Sequence, residues 1–342
     1  MALTGAEVQS AVAGRTGWIL SDGRAGNEVQ SRGVFDALGI EYRVLAAEPK
    51  GFWRLFGSRG PVSPAEGLGR PGSPYNPPWP DFAIATGRLT TPYIRKLRQL
   101  AGLSTYTVVL LDPKVSLRTA DLFWVPEHDR LRGPNVMTTL TSPHSYSQQR
   151  LEALRVRIPD NVAALPRPRI AVMLGGPNGD YRYSAESVQR LAGALQSLVA
   201  LGAGLMITPS RRTPPEVREA VARSVAGGAV RIWDGDGENP YPSFLAHADA
   251  LIVPADSVNM TGEACATGRP VYVFEPEGGS TKFARFHAAL VRHGATRPMP
   301  TRFERLETWS YQPLHSAEQI AAEIVGRWTQ RRRMLGTPPT TK

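Results

Sequence analysis

The sequence predicts an α/β protein of two Rossmann-like domains facing a cleft, and three observations carry that expectation. Short apolar runs alternate with helix-patterned segments along most of the chain, as parallel sheets flanked by helices require. A glycine-rich strand-to-helix turn opens each half, at Ser21–Asn27 and again at Gly175–Tyr181. Between them lies a proline-marked break, Pro143 to Pro168, after which the pattern restarts. The expected division is a first domain over residues 1–160 and a second over 168–312, with a closing helix at 316–335 packing back on the first domain. A length of 342 residues with 42% hydrophobic content is enough for two cores.

In the first half, Gly17–Leu20 is a short apolar strand feeding a turn built from Asp22, Gly23, Gly26 and Asn27. Val29–Leu38 has helical spacing and Gly39 closes it. This turn lacks the Gly-x-Gly-x-x-Gly fingerprint, which argues against a dinucleotide site. Its glycines let backbone approach a ligand closely or simply shape the turn, and Asp22, Glu28 and Asn27 stand at its mouth. Glu41–Leu45 is the second strand. The proline- and glycine-rich stretch from Pro49 to Pro80 is long for a loop in a compact domain, so a lid, a docking surface or a disordered segment is expected there. Its opening, Gly51–Phe56, joins three aromatics and Leu55 to Arg54. Such side chains either cap a core or dip into a bilayer interface. Phe82–Ala85, Thr107–Leu111, Leu122–Val125 and Asn135–Thr139 read as further strands, with a helix at Thr91–Ala101. Polar groups follow the strand ends at Thr86-Gly87-Arg88, at Asp112 and at Pro126–Asp129, where His128 is the imidazole best placed for acid/base work.

The second half repeats the plan. Arg169–Leu174 is a strand opening into Gly175, Gly176 and Asn178, followed by an amphipathic helix over Ser184–Leu201. After the strand Gly204–Thr208 comes the pair Arg211 and Arg212, whose guanidinium forks match phosphate oxygens. A helix over Pro214–Ala226 and a strand at Val230–Trp233 lead to an acidic loop, Asp234–Tyr241, which either solvates itself or binds a metal; solvation is favoured. The stretch Leu251–Pro276 reads strand, loop, helix, strand. Asp256 and Ser257 are N-cap residues, and the first helical turn points free amides and the positive dipole end beyond the strand, a favourable place for phosphate. Glu263, two turns in, is positioned for ribose hydroxyls. A helix at Arg285–His293, an irregular crossing at Arg297–Pro313 and a helix at Ser316–Arg333 complete the chain.

Composition narrows the function. The formal charge is +10, yet only five of the 40 basic residues are lysine, and the one dense basic block is Arg331–Arg333. Nucleic acid is therefore not an expected partner. The single cysteine, Cys265, excludes an intramolecular disulfide and a cysteine-cluster metal site. No signal-peptide pattern or membrane-length apolar run is present, so a cytoplasmic protein is expected.

Asp256-Ser257-Val258-Asn259-Met260, followed by Glu263 and Gly268-Arg269-Pro270-Val271, resembles the donor-binding helix of two-domain GT-B glycosyltransferases. More closely, five motifs taken together resemble the bacterial relatives of the plant mitochondrial-fission protein "elongated mitochondria one". They are Asp22–Gln30, Thr86–Arg88, Pro126–Asp129, Gly175–Tyr181 and Asp256–Met260, and the similarity runs from Trp18 to Trp328. The resemblance implies a GT-B-like fold and a metal-independent transferase with no cofactor, using a nucleotide sugar as donor. Gly175, Gly176 and Asn178 would then lie near the sugar phosphate and Arg211 on the diphosphate. Ser257, Asn259 and Met260 would face phosphate and sugar, Glu263 the ribose, and Gly23, Gly26 and Asn27 would line the site from the first half. The acceptor would be an envelope or membrane-associated molecule, with the protein peripheral on the inner face of a membrane. Well-known GT-B enzymes often show one obvious base in the first half; here Asp22, Glu28, Asp112 and His128 compete. Two rivals remain: a nucleotide-sugar epimerase of the same plan, and a non-enzymatic membrane-remodelling scaffold.

Overall fold

The computed structural model describes residues 3–47, 49 and 51–336. It divides into two compact units, one formed by the chain up to Ser147 together with the segment from His315 onward, the other by Gln148–Leu314.

The first unit runs α1 (Gly5–Ala11), β1 (Thr16–Ser21), α2 (Ala25–Leu38), β2 (Glu41–Ala46), β3 (Phe82–Thr86), α3 (Thr91–Ala101), β4 (Tyr106–Leu110), β5 (Leu122–Pro126) and β6 (Val136–Thr139). Its six strands form one parallel sheet in the order β2-β1-β3-β4-β5-β6. The central strands are buried along their whole length, which is why they read as unbroken apolar runs. Alternate residues serve opposite faces. Ile19, Ile84, Val108 and Trp124 meet Phe35 and Leu38 of α2 and Ile320, Ile324 and Trp328 of the C-terminal helix Ser316–Met334. Trp18, Ala85, Val109 and Phe123 meet Tyr93 and Leu97 of α3. The helix α2 stops at Gly39, whose left-handed φ of 67° lets its amide reach the carbonyls of Phe35 and Asp36. Between β2 and β3 the chain forms a 3-10 segment, Gly51–Arg59, kinked at Gly57 (φ 54°, ψ −135°).

The second unit runs α4 (Gln148–Val156), α5 (Asp160–Ala163), β7 (Arg169–Leu174), β8 (Tyr181–Arg182), α6 (Ala185–Ala200), β9 (Gly204–Pro209), α7 (Pro215–Ser224), β10 (Val230–Ile232), α8 (Tyr241–His247), β11 (Ala250–Pro254), α9 (Val258–Cys265), β12 (Val271–Phe274), β13 (Glu277–Gly278), α10 (Thr281–His293) and β14 (Thr296–Pro298). Its parallel sheet has the order β10-β9-β7-β11-β12-β14. The direction of winding therefore reverses between β7 and β11, the position where open α/β sheets leave a crevice beyond their strand ends.

Two expectations change. The sequence pattern puts the helix α4 with the first domain, whereas it belongs to the second unit. Leu151 is buried, α4 packs on α8, and Arg155 donates to the carbonyls of Ala246 (3.1 Å) and Thr267 (3.0 Å). The segment Arg297–Pro313, expected to cross irregularly, begins within a sixth strand, β14, paired to β12.

Candidate functional site

In the second unit the reversal point is organised by Asp256, which follows β11 and has a fully buried side chain. Its carboxylate accepts from the Tyr183 hydroxyl at 2.6 Å, from Arg212 Nη2 at 2.8 Å and from the Gly176 amide at 3.4 Å. Burial, then the Asp256 charge, pushes the Tyr183 hydroxyl far up in pKa, so it stays a donor. Arg212 also donates to the Gly176 carbonyl at 3.0 Å, so one guanidinium ties the β9 end to the β7 end. A Cβ at Gly175 would lie 2.1 Å from Asp256 Oδ1, and one at Gly176 would lie 2.0 Å from the Arg212 carbonyl oxygen. Both glycines are required by close approach. Asp256 was expected to cap α9; instead its carboxylate turns back to β7 and β9, and Ser257 alone caps, accepting from the Met260 amide at 3.3 Å. Asn178 is committed too: Oδ1 accepts from the amides of Asp180 and Tyr181, and Nδ2 donates to the Asp256 carbonyl at 3.2 Å. Its side chain closes the 178–181 turn.

Beside this hub lies a pocket of about 890 Å³, within the size range of ligand sites. The end of β9 supplies Arg211, the segment after β10 supplies Trp233, α8 supplies Tyr241, and α9 supplies Asn259, Met260 and Glu263. Arg211 is exposed and makes no ion pair among the described residues, whereas its neighbour Arg212 is held by Asp256. Glu263 accepts from the Tyr241 hydroxyl at 2.5 Å. Burial raises its pKa to about 7, and the Tyr241 bond works in the opposite direction. The pocket therefore offers a solvated cation, the amide end of α9 and a carboxyl group poised near neutrality. That set suits a ligand with an anionic part and vicinal hydroxyls. Tyr241, Trp233, Tyr183 and the buried role of Asp256 were not anticipated. Tyr241 had a faint signal, its place after Asn239-Pro240 at a helix start; the others become visible only through contacts distant in sequence.

In the first unit the winding reverses between β1 and β3, and Asp22 and Gly87 follow those strands. Asp22 is buried and accepts from Asn27 Nδ2 at 3.3 and 3.2 Å on its two oxygens and from the Arg24 amide at 3.2 Å. Gly87 has φ 89°, and a Cβ there would sit 3.0 Å from Asn27 Nδ2. Gly23 (φ 76°) is a true turn residue, but Gly26 and Asn27, expected in the turn, already lie in the first turn of α2. Both glycines are exposed. Glu28 accepts from the Ser21 hydroxyl at 2.8 Å and pairs with Arg32 at 2.7 Å. Arg32 first and Ser21 second hold its pKa below the usual carboxylate value, which makes it a weak proton acceptor. His128 is buried just past β5, three strands from β1 in the sheet. At about 4.8 Å per strand, its strand end is roughly 14 Å from that of Asp22. The three candidate catalytic residues thus separate: Asp22 stands at the reversal with Asn27, Glu28 is engaged one turn along α2, and His128 lies apart.

A family profile described as "Mitochondrial fission ELM1" matches residues 25–328. The "Mitochondrial fission protein ELM1" of Arabidopsis thaliana is 31% identical over 275 residues, covering 73% of this chain and 64% of that protein. This chain therefore spans a little under two thirds of that relative's length. Among solved structures, an S. aureus MnaA–UDP co-structure superposes with a TM-score of 0.51 at 10% identity, over 96% of this chain and 100% of the other. A crystal structure of UDP-N-acetylglucosamine 2-epimerase gives 0.50 at 11% identity, over 96% and 99%. At such identities the likeness is one of fold, and it is the GT-B-like α/β plan of two parallel sheets.

Proposed function

The chain belongs to the mitochondrial fission ELM1 family, and from that premise we propose that it is a glycosyltransferase moving a sugar from a nucleotide sugar to a membrane-associated acceptor. The observation that carries this reading is the pocket of about 890 Å³ where Arg211, the start of α9 and Glu263 converge. Arg211 would neutralise the diphosphate together with the α9 amides, a role that in other transferases a metal ion fills. Glu263 would accept from ribose hydroxyls. A uridine nucleotide is the first candidate, because a fold neighbour carries UDP. The acceptor hydroxyl oxygen would bond to the sugar's anomeric carbon as the bond to the diphosphate breaks, with the hydroxyl proton passing to a general base. Asp22 and Glu28 each already hold an arginine, Arg24 at 3.7 Å and Arg32 at 2.7 Å, so pairing does not choose between them. The protein would work in the cytoplasm at a membrane surface; no helix among the described residues is long and apolar enough to cross one.

The test is thermal stabilisation across UDP, GDP, CMP and their sugars, since a ligand at 100 times its Kd adds about 2.7 kcal/mol. A selective shift, lost in Arg211→Ala, supports the reading. No shift from folded protein would overturn it in favour of a scaffold. The epimerase alternative draws on the fold shared with UDP-N-acetylglucosamine 2-epimerase. It predicts that a bound nucleotide sugar is converted with no acceptor present.

A further inference from the structure

We propose that the 3-10 segment Gly51–Arg59 and the basic pocket beside it form a docking surface for an anionic phospholipid bilayer. The segment turns its large apolar side chains outward: Phe52 is 66% exposed, Leu55 81% and Phe56 45%. In a 3-10 helix residues i and i+3 eclipse, which puts Phe52 and Leu55 on one edge. The rings of Phe52 and Phe56 meet edge to face at 5.0 Å, so the exposed groups form one patch and not scattered singles. The patch is also held in place. Ser58 Oγ donates to the Pro113 carbonyl at 2.7 Å, and the Arg95 guanidinium of α3 donates to the carbonyls of Ser58, Arg59 and Gly60.

Next to it is a pocket of about 620 Å³ whose lining includes Arg59, Arg70 and Lys96 among Val62, Leu68 and Leu100, with no carboxylate among its described lining residues. Arg59, Arg70 and Lys96 make no ion pair among the described residues. Apolar and aromatic tips flanked by unpaired cations match a bilayer interface, where acyl chains take the first and headgroup phosphates the second. Charge decides among occupants: a second copy of this chain, at +10, would bring the same cations against themselves.

The full chain is floated with vesicles of mixed phosphatidylglycerol and phosphatidylcholine, and with phosphatidylcholine alone. Binding to the mixed vesicles that falls as salt rises, with little to the neutral ones, is expected. Phe52→Ser/Leu55→Ser/Phe56→Ser should weaken it at least about tenfold. Arg59→Gln/Lys96→Gln should weaken it about fivefold per cation. Val291→Ser, at an exposed apolar position of the second unit, should leave it unchanged. Unchanged vesicle binding in both patch variants, or none by the parent protein, overturns the proposal. So does self-association that the apolar variant abolishes without any vesicle binding, which would make the patch an interface between copies. Circular dichroism and melting temperature check each fold; if the apolar variant misfolds, the cation variant decides alone. Nucleotide binding in the second unit is read separately, so either idea can fail while the other stands.

Discussion

Asp256→Ala is the most informative single change in the second unit, because it removes one carboxylate that three chain segments share. The Tyr183 hydroxyl, 2.6 Å away, loses its acceptor, and stranding such a group costs about 1–3 kcal/mol. The Arg212 side chain is 43% exposed, so water takes over its charge and the ion pair itself is worth only about 1 kcal/mol after screening. Together these give roughly 2–4 kcal/mol, and at about 2–4 °C per kcal/mol for a domain of this size the transition should fall by roughly 4–16 °C. Differential scanning calorimetry reads that directly. A second variant tests the cause. If the stranded hydroxyl dominates, Tyr183→Phe introduced into Asp256→Ala should recover part of the loss. A drop below about 2 °C in the single variant, or a double variant no more stable than Asp256→Ala, would refute the hub.

Two further outcomes follow from the same region. Glu263 has its folded pKa raised from 4.5 to about 7; its favourable contribution to stability is therefore complete below pH 4.5 and is lost as pH climbs through 7, a slope that Glu263→Gln should flatten in denaturant titrations. Ribose hydroxyls donate to the ionised form, so nucleotide affinity measured by calorimetry should rise about tenfold from pH 6 to pH 8 with proton release, and pH-independent affinity would remove Glu263 from the site. Gly176→Ala should cost about 1–3 kcal/mol in denaturant unfolding by forcing Cβ against the Arg212 carbonyl, whereas Gly179→Ala, which meets nothing within 4 Å, should be nearly silent.

The central strands were legible because a parallel sheet covered on both faces leaves no polar positions to confuse the reading: Phe82–Thr86 and Leu122–Pro126 are buried at every residue. Edges were not. The strand Thr296–Pro298 carries Arg297 and Pro298, pairs with one neighbour only, and has no apolar run to announce it. Gly26 misled at the start of α2, since a residue of poor helix propensity there imitates a turn. The cap at Ser257 could be seen locally, but the duty of Asp256 could not. Its partners Tyr183 and Arg212 lie 73 and 44 residues earlier, and nothing near Asp256 distinguishes a capping carboxylate from a buried one. The placement of α4 failed for the same reason, because Arg155 finds its carbonyls 91 and 112 residues downstream. Within the candidate site, Arg211 and Glu263 were readable as residue types at a strand end and on a helix, while the tethering of Arg212 by Asp256 required the fold.

Because Gln148–Leu314 is one unbroken stretch while the other unit is assembled from both sides of it, the order of synthesis and the order of folding differ. The second unit has all its strands once Leu314 leaves the ribosome. The first has its six strands much earlier, yet it waits through that whole interval with one sheet face covered only in part, by α2, until Ile320, Ile324 and Trp328 arrive. For a growing chain the older half is the last to be sealed, and the open part of that face is where a chaperone would find its hold.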